Sequence, residues 1–180
     1  MRVRLPGRAR VGEGGPDAAL AGDLFLDPLP GPIIHPGGAK LLEFKPVGPN
    51  GTMIMNSSGQ MLWWRQLPEN YAAGALELKT YEGKPVLTWW QGRVTEVVNG
   101  EGEGIIANSA YEPIATVKAG NGYASDIHEF DVRPDGTAII DAYTSVCTPV
   151  CSEATPPVQD VLIQEMNYLP KDGIRTGRKG

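Results

Sequence analysis

From Ala119 to Phe130 the chain reads Ala-Gly-Asn-Gly-Tyr-Ala-Ser-Asp-Ile-His-Glu-Phe, and the side chains best suited to chemistry are gathered here. His128 is one of only two histidines in the protein. Asp126 lies two residues before it, which places both on one face if a strand begins that early, and a carboxylate there can orient the imidazole. Gly120 and Gly122 flank Asn121, a spacing that lets successive backbone N–H groups form an anion-binding nest or a plain tight turn. Without partners from elsewhere, His128 could equally be a histidine satisfied by water.

Other groups carry weaker signals. Trp89-Trp90 and Trp63-Trp64 each place one ring on either side of a strand, which suits packing between sheets better than a substrate platform. Cys147 and Cys151 are the only cysteines, four apart in a Pro/Thr/Ser-rich loop; that spacing suits a local disulfide better than a metal pair. His35, followed by Pro36, reads as a loop residue. Gly100-Glu-Gly-Glu-Gly104 is acidic and lacks the strand-to-helix setting of a phosphate cradle. Asp131-Val-Arg-Pro-Asp-Gly136 lacks the terminal Glu of a calcium loop. No G-x-S-x-G elbow and no H-E-x-x-H is present.

The strands expected to carry these groups follow a repeat. A shift that carries Asn56-Ser57 onto Asn108-Ser109 also carries Ala75–Lys79 onto Ile127–Asp131 and Glu82-Gly83 onto Pro134-Asp135. His128 then falls where Leu76 stands one repeat earlier. Repeats of this length, built from short strands, mark the blades of β-propellers. Strands are expected at 22–27, 52–55, 60–66, 75–80, 85–90, 104–108, 113–118, 127–132, 137–143 and 161–166, with a Gly-rich loop over 91–103. The chain then parses as a partial first blade, one complete blade and one lacking its outer strand, about two to three four-stranded antiparallel blades. Residues 1–20 read as a disordered tail, 21–168 as the partial propeller and 169–180 as an irregular tail.

Composition agrees with an all-β chain. The 23 Gly and 16 Pro fall between short apolar runs, where they act as turn punctuation. A net charge of −5, with basic residues gathered at the two ends, argues against a nucleic-acid surface. No apolar run is long enough for a transmembrane helix, and no apolar stretch follows the charged start as in a signal peptide.

Leu87-Thr-Trp-Trp-Gln-Gly92, Gly104-Ile-Ile-Ala-Asn-Ser109, Ala119-Gly-Asn-Gly122 and Asp126-Ile-His-Glu-Phe130, in this order, resemble the arylsulfotransferase propeller family. Asn56–Trp64 resembles the family's first hairpin, and the likeness spans roughly Gly22 to Met166. The resemblance implies a six-bladed propeller that moves a sulfuryl group from an aryl sulfate to a phenol through a histidine, with no cofactor. It implies His128 as a catalytic residue, with Asn121, Asp126, Glu129 and Trp90 on the substrate. It also implies an extracellular or periplasmic setting. The nucleophilic histidine is expected in a later blade, beyond Gly180, so this chain is expected to be weakly active or inactive. The alternative is a non-catalytic propeller module for binding or assembly, associating with itself through open blade edges.

Overall fold

The computed structural model describes residues 22–28, 49–81, 83–94, 100–147, 152 and 158–167. The expected terminal tails, the apolar pieces at 33–34 and 41–44, His35 and Cys151 lie outside the described residues. Cys147 is disulfide-bonded. Among the described residues every regular element is a strand, and the class is all-β as expected. Three antiparallel sheets form in chain order. The first contains β1 (Leu24–Leu26), β2 (Gly51–Met55) and β3 (Met61–Gln66). The second contains β4 (Ala72–Tyr81), β5 (Lys84–Val94), β6 (Gly100–Ala107) and β7 (Pro113–Val117). The third orders β8 (Phe130–Val132), β9 (Thr137–Val146) and β10 (Val158–Asn167) with β9 in the middle.

The repeat is visible atom by atom in the turns. Asn56 N donates to Gln60 O at 2.9 Å, and Asn108 N donates to Glu112 O at 2.9 Å. The Asn56 side-chain oxygen accepts from Ser58 N and Gln60 N, as that of Asn108 accepts from Ala110 N and Glu112 N. An Asn side chain closing its own turn is the local chemistry that ends one strand and begins the next. Gly59 takes a left-handed φ of 82° in the first turn; Tyr111 takes 63° at the same place in the second. A side chain costs energy there, and stacking of the Tyr111 ring on Trp63 at 5.1 Å offsets it. Equivalent residues of successive sheets also meet directly. Lys79 on β4 and Asp131 on β8 form a 2.8 Å ion pair. Burial lowers the Lys79 pKa, but Asp131 and Glu77 outweigh that and hold its ammonium above its ordinary value.

The second sheet is covered on both faces, which is why residues 86–90 are apolar or small and fully buried in succession. Alternation sends Leu87 and Trp89 to the first sheet, against Ile54 and Trp63. It sends Val86 and Trp90 to the third, against Phe130, Val132, Ala138 and Ile140. The two cores are therefore the contents of two gaps between three stacked sheets. The outward faces of the stack are less covered: Leu24 and Leu26 at one end, Val161 and Ile163 at the other, are exposed.

Two expectations are corrected. Residues 91–103 are not one long loop, because β5 runs to Val94 and β6 starts at Gly100. The glycines there spare room rather than make turns. A Cβ on Gly100 would lie 2.6 Å from the Trp90 ring, one on Gly102 2.4 Å from it, and one on Gly104 2.3 Å from Phe130. Their period of two puts all three on one strand face, with Glu101 and Glu103 on the other. The strand expected over 127–132 begins only at Phe130, because the amides before it are taken by side chains.

One half-buried acid at the first gap gives a stability prediction. Asp27 Oδ2 accepts from Leu76 N at 3.0 Å, while Oδ1 and the neighbouring Thr52 Oγ1 are buried without a well-formed hydrogen-bond partner among the described residues. Burial raises the Asp27 pKa above its ordinary 3.8, and the Leu76 amide, then the Thr52 side chain, reverse only part of this. The folded state thus binds this proton more tightly than the unfolded chain, so the site destabilises the fold above the raised pKa. That penalty fades as pH falls through the raised value toward 3.8. Asp27→Asn keeps an acceptor for Leu76 and adds a donor for Thr52. It is expected to stabilise the protein by about 1 kcal/mol at neutral pH, with the difference shrinking in acid. Urea titrations of both proteins across that range check it.

Candidate functional site

Segment 125–129 is laid across the glycine face of β6 and fixed by its own backbone. Ser125 O accepts from Gly102 N at 2.9 Å and from Trp90 Nε1 at 3.1 Å. Asp126 N donates to Asp141 O at 2.8 Å. The segment can approach this closely only because Gly100 carries no side chain there, since a Cβ would stand 2.7 Å from Ile127 N.

Asp126 is fully buried and organises the residues after it. Its Oδ1 accepts from Gly100 N, and its Oδ2 accepts from His128 N at 3.1 Å and faces His128 Nδ1. An aspartate two residues ahead of an amide it caps forms an Asx turn. The closeness of Asp126 and His128 therefore comes from a turn, not from a shared strand face. A carboxylate only accepts, so the proton in the neutral dyad belongs on Nδ1, which leaves the Nε2 lone pair directed away from Asp126. The His128 side chain is 52% exposed. Its ring meets Tyr143 edge-on at 5.8 Å.

A further group was not foreseen from the sequence. Asp141, in the middle of β9 and 3% exposed, accepts from Glu129 N at 3.1 Å through Oδ1. One donor atom from each of Asp126, His128 and Asp141 lies within 4.8 Å of the others. Burial raises the Asp141 pKa, the Asp126 charge raises it further, and the Glu129 amide reverses part of the shift. Burial, then Asp126 and Asp141, also raise that of the Tyr143 phenol. A signal was available: Asp141 is the lone charge within Ala138-Ile-Ile-Asp-Ala142.

The other named residues are placed differently. Trp90 is fully buried between the second and third sheets and offers no face to a substrate, so its role is core packing. Asn121 is exposed at a turn in which it and Gly122 have φ of 58° and 84°, closed by Tyr123 N to Gly120 O at 3.2 Å. Gly120 N is taken by Gln164 Oε1 at 2.7 Å. One amide of the expected anion nest, Gly120 N, is thus used within the fold. Glu129 is exposed and contributes its amide to Asp141.

A groove of about 450 Å³ lies beside loop 119–124, lined by Tyr71, Gln91, Glu103, Lys118 and Tyr123 among others. Lys118 and Glu103 pair across it at 3.0 Å. Its last lining residue in the chain, Ala124, immediately precedes the anchored Ser125. No helix of the described residues is long and apolar enough to cross a membrane. Compared with protein-family models, curated proteins and solved structures, the chain matches none.

Proposed function

We propose that this chain is part of a β-propeller resembling the arylsulfotransferases, in which His128 takes the proton of a phenolic acceptor during sulfuryl transfer. The observation that carries the reading is the dyad: buried Asp126 on Nδ1, with the imidazole half-exposed beyond it. As the phenol O–H bond breaks toward Nε2, the phenolic oxygen attacks the sulfur of the sulfated nucleophilic histidine, and the S–N bond to that histidine breaks. The donor aryl oxide has left in the preceding half-reaction. A positioned base of this kind contributes about 10²–10⁴ in rate. The neighbours of His128 argue for base over anion contact: Asp126 and Asp141 are acids, and a sulfate beside them meets like charge. In this reading other groups hold the sulfuryl donor, and turnover by this chain alone is slow.

The test pairs a chromogenic aryl sulfate with a phenol acceptor. Trace turnover is expected, reduced at least about tenfold in His128→Ala and unchanged in His35→Ala. In parallel, phenol titration should move the His128 ring NMR signals and leave those of His35 in place. Undisturbed His128 signals, or turnover that survives His128→Ala, would refute the reading. The alternative, an assembly module, draws on the exposed pairs Leu24/Leu26 and Val161/Ile163 at the two ends of the stack. Concentration-dependent sedimentation, lost on Val161→Lys with Ile163→Lys, would favour it.

A further inference from the structure

We propose that two copies of this chain join head to tail, the outward face of the third sheet of one copy packing on the outward face of the first sheet of the other. The proposal names the partner and the geometry for the assembly reading above. It rests on the repeat of the sheets and does not depend on sulfuryl transfer.

The repeat extends from the turns into the strand register. Met53 and Met55 of β2 stand where Ile105 and Ala107 of β6 stand one repeat later. Their neighbours correspond as well. Leu26 pairs with Met53 and Leu24 with Met55, as Trp89 pairs with Ile105 and Leu87 with Ala107. Leu87, Trp89, Ile105 and Ala107 are all buried in the core that includes Ile54 of the first sheet. The four matching residues of the first sheet are equally apolar, yet Leu24 is 43% exposed, Leu26 is exposed and the methionines are only partly buried. Trp64, opposite Met53, extends this apolar surface.

The far end of the stack repeats the other face. Asp131 pairs with Ile139 as Lys79 pairs with Val86, so Ile139 stands at the place of Val86. Ile163 opposite Asp141 matches Ile106 opposite Thr88. Val86 and Ile106 are buried against the third sheet, whereas Ile163 is 64% exposed and Val161 beside it is exposed too. Val161, opposite Tyr143, takes the place of Gly104, opposite Trp90, whose missing side chain makes room for Phe130 of β8. Among the described residues the first sheet has no strand at the place of β8, which leaves that room to Val161.

Each gap within the chain joins unlike faces: Ile54 shares a core with Ile105, and Ile106 shares one with Ile140. A third gap of the same kind sets the Ile163 face of one copy on the Met53 face of another, never two like faces. Such a contact is heterologous and needs a closing rotation. With three sheets in each chain, two copies supply six, within the four to eight of closed propellers, and three copies exceed that range. The assembly is therefore a closed dimer with two identical contacts.

The experiment is sedimentation velocity of the full chain at micromolar concentration, with two variants: Leu24→Lys with Leu26→Lys, and Val161→Glu with Ile163→Glu. The unaltered protein is expected as a dimer. Each variant alone is expected to associate at least about tenfold more weakly, because it sets charges against an apolar face. Their equimolar mixture is expected to recover the dimer, since one native contact and one Lys–Glu contact then form together. Far-UV spectra check that each variant folds. Should one not fold, a mixture of differently labelled unaltered protein is expected to show methyl NMR contacts between Leu24 or Leu26 of one copy and Val161 or Ile163 of the other. Absence of those contacts, a monomer, assemblies that grow beyond two copies, or a mixture of folded variants that stays monomeric would refute the pairing. A dimer that survives either variant alone joins like faces and overturns it too, while an assembly role stands. A monomer whose turnover depends on His128 sinks this proposal and leaves the sulfuryl-transfer reading intact.

Discussion

Trp90→Ala is expected to lower the stability of the fold by about 3–5 kcal/mol, the range for emptying a fully buried aromatic site. The ring lies at 0% exposure between the second and third sheets. Gly100 and Gly102 leave their side-chain space to it, since a Cβ on either would stand within 2.6 Å of a ring atom. Glycines in strand interiors weaken the sheet in their own right, so the cradle is an arrangement that only the ring repays. Without the indole the cavity cannot be refilled by neighbours that have no side chains. The change also removes the Nε1 donor from Ser125 O, one of the two bonds that this carbonyl accepts at the start of the segment carrying Asp126 and His128. Faster amide exchange at Gly102 and Asp126 should accompany the lost stability. Trp63, only partly buried at the edge of the first gap, should cost distinctly less when replaced by alanine. Urea midpoints for both variants check the ranking, and a loss below about 1 kcal/mol for Trp90→Ala would contradict the cradle.

The second large effect is expected at Asp126. Alanine there leaves Gly100 N, His128 N and His128 Nδ1 without their acceptor, at least one of them in the buried interior. Hydrogen bonds to a buried charge are worth about 1.5–3 kcal/mol, and an orphaned buried donor adds about 1–3. A loss of about 3 kcal/mol or more is therefore expected, with the histidine released from its fixed orientation. Asparagine is the more informative change. Its two ends differ, so oxygen turned to Gly100 N turns the amide nitrogen toward His128. The imidazole must then accept at Nδ1 and carry its proton on Nε2, the wrong tautomer for a base.

Much of this architecture is legible in the order of residues. The Asn-led turns at 56 and 108 announce themselves, because Asn and Ser beside Gly close tight loops by side-chain hydrogen bonds. The alternation of apolar runs around them then sets the strands. The ion pair between Lys79 and Asp131, 52 residues apart, bears out that the two strands occupy like places in successive sheets. The hidden features have physical causes. Glycine normally signals a turn, so Gln91–Glu103 reads as loop; its period of two acquires meaning only beside the Trp90 ring it accommodates. The Asp126–His128 pairing is legible, but its cause is not, because an Asx turn and a strand face both bring residues i and i+2 together. Asp141 is inconspicuous since its partner Glu129 N lies across a strand pairing that spacing alone does not reveal. Asn121 stands out by its glycine neighbours, and those neighbours serve a left-handed turn.

A positioned base at His128 requires one tautomer of its ring, and ¹⁵N-resolved imidazole spectra report it directly. Recorded above the ordinary imidazole range, without added metal, the spectrum of the unaltered protein is expected to show the proton on Nδ1 and a bare Nε2. The Asp126→Asn protein, if folded, should show the reverse. A proton on Nε2 in the unaltered protein, or rapid exchange between both tautomers, would contradict the dyad and with it the reading of His128 as a positioned base.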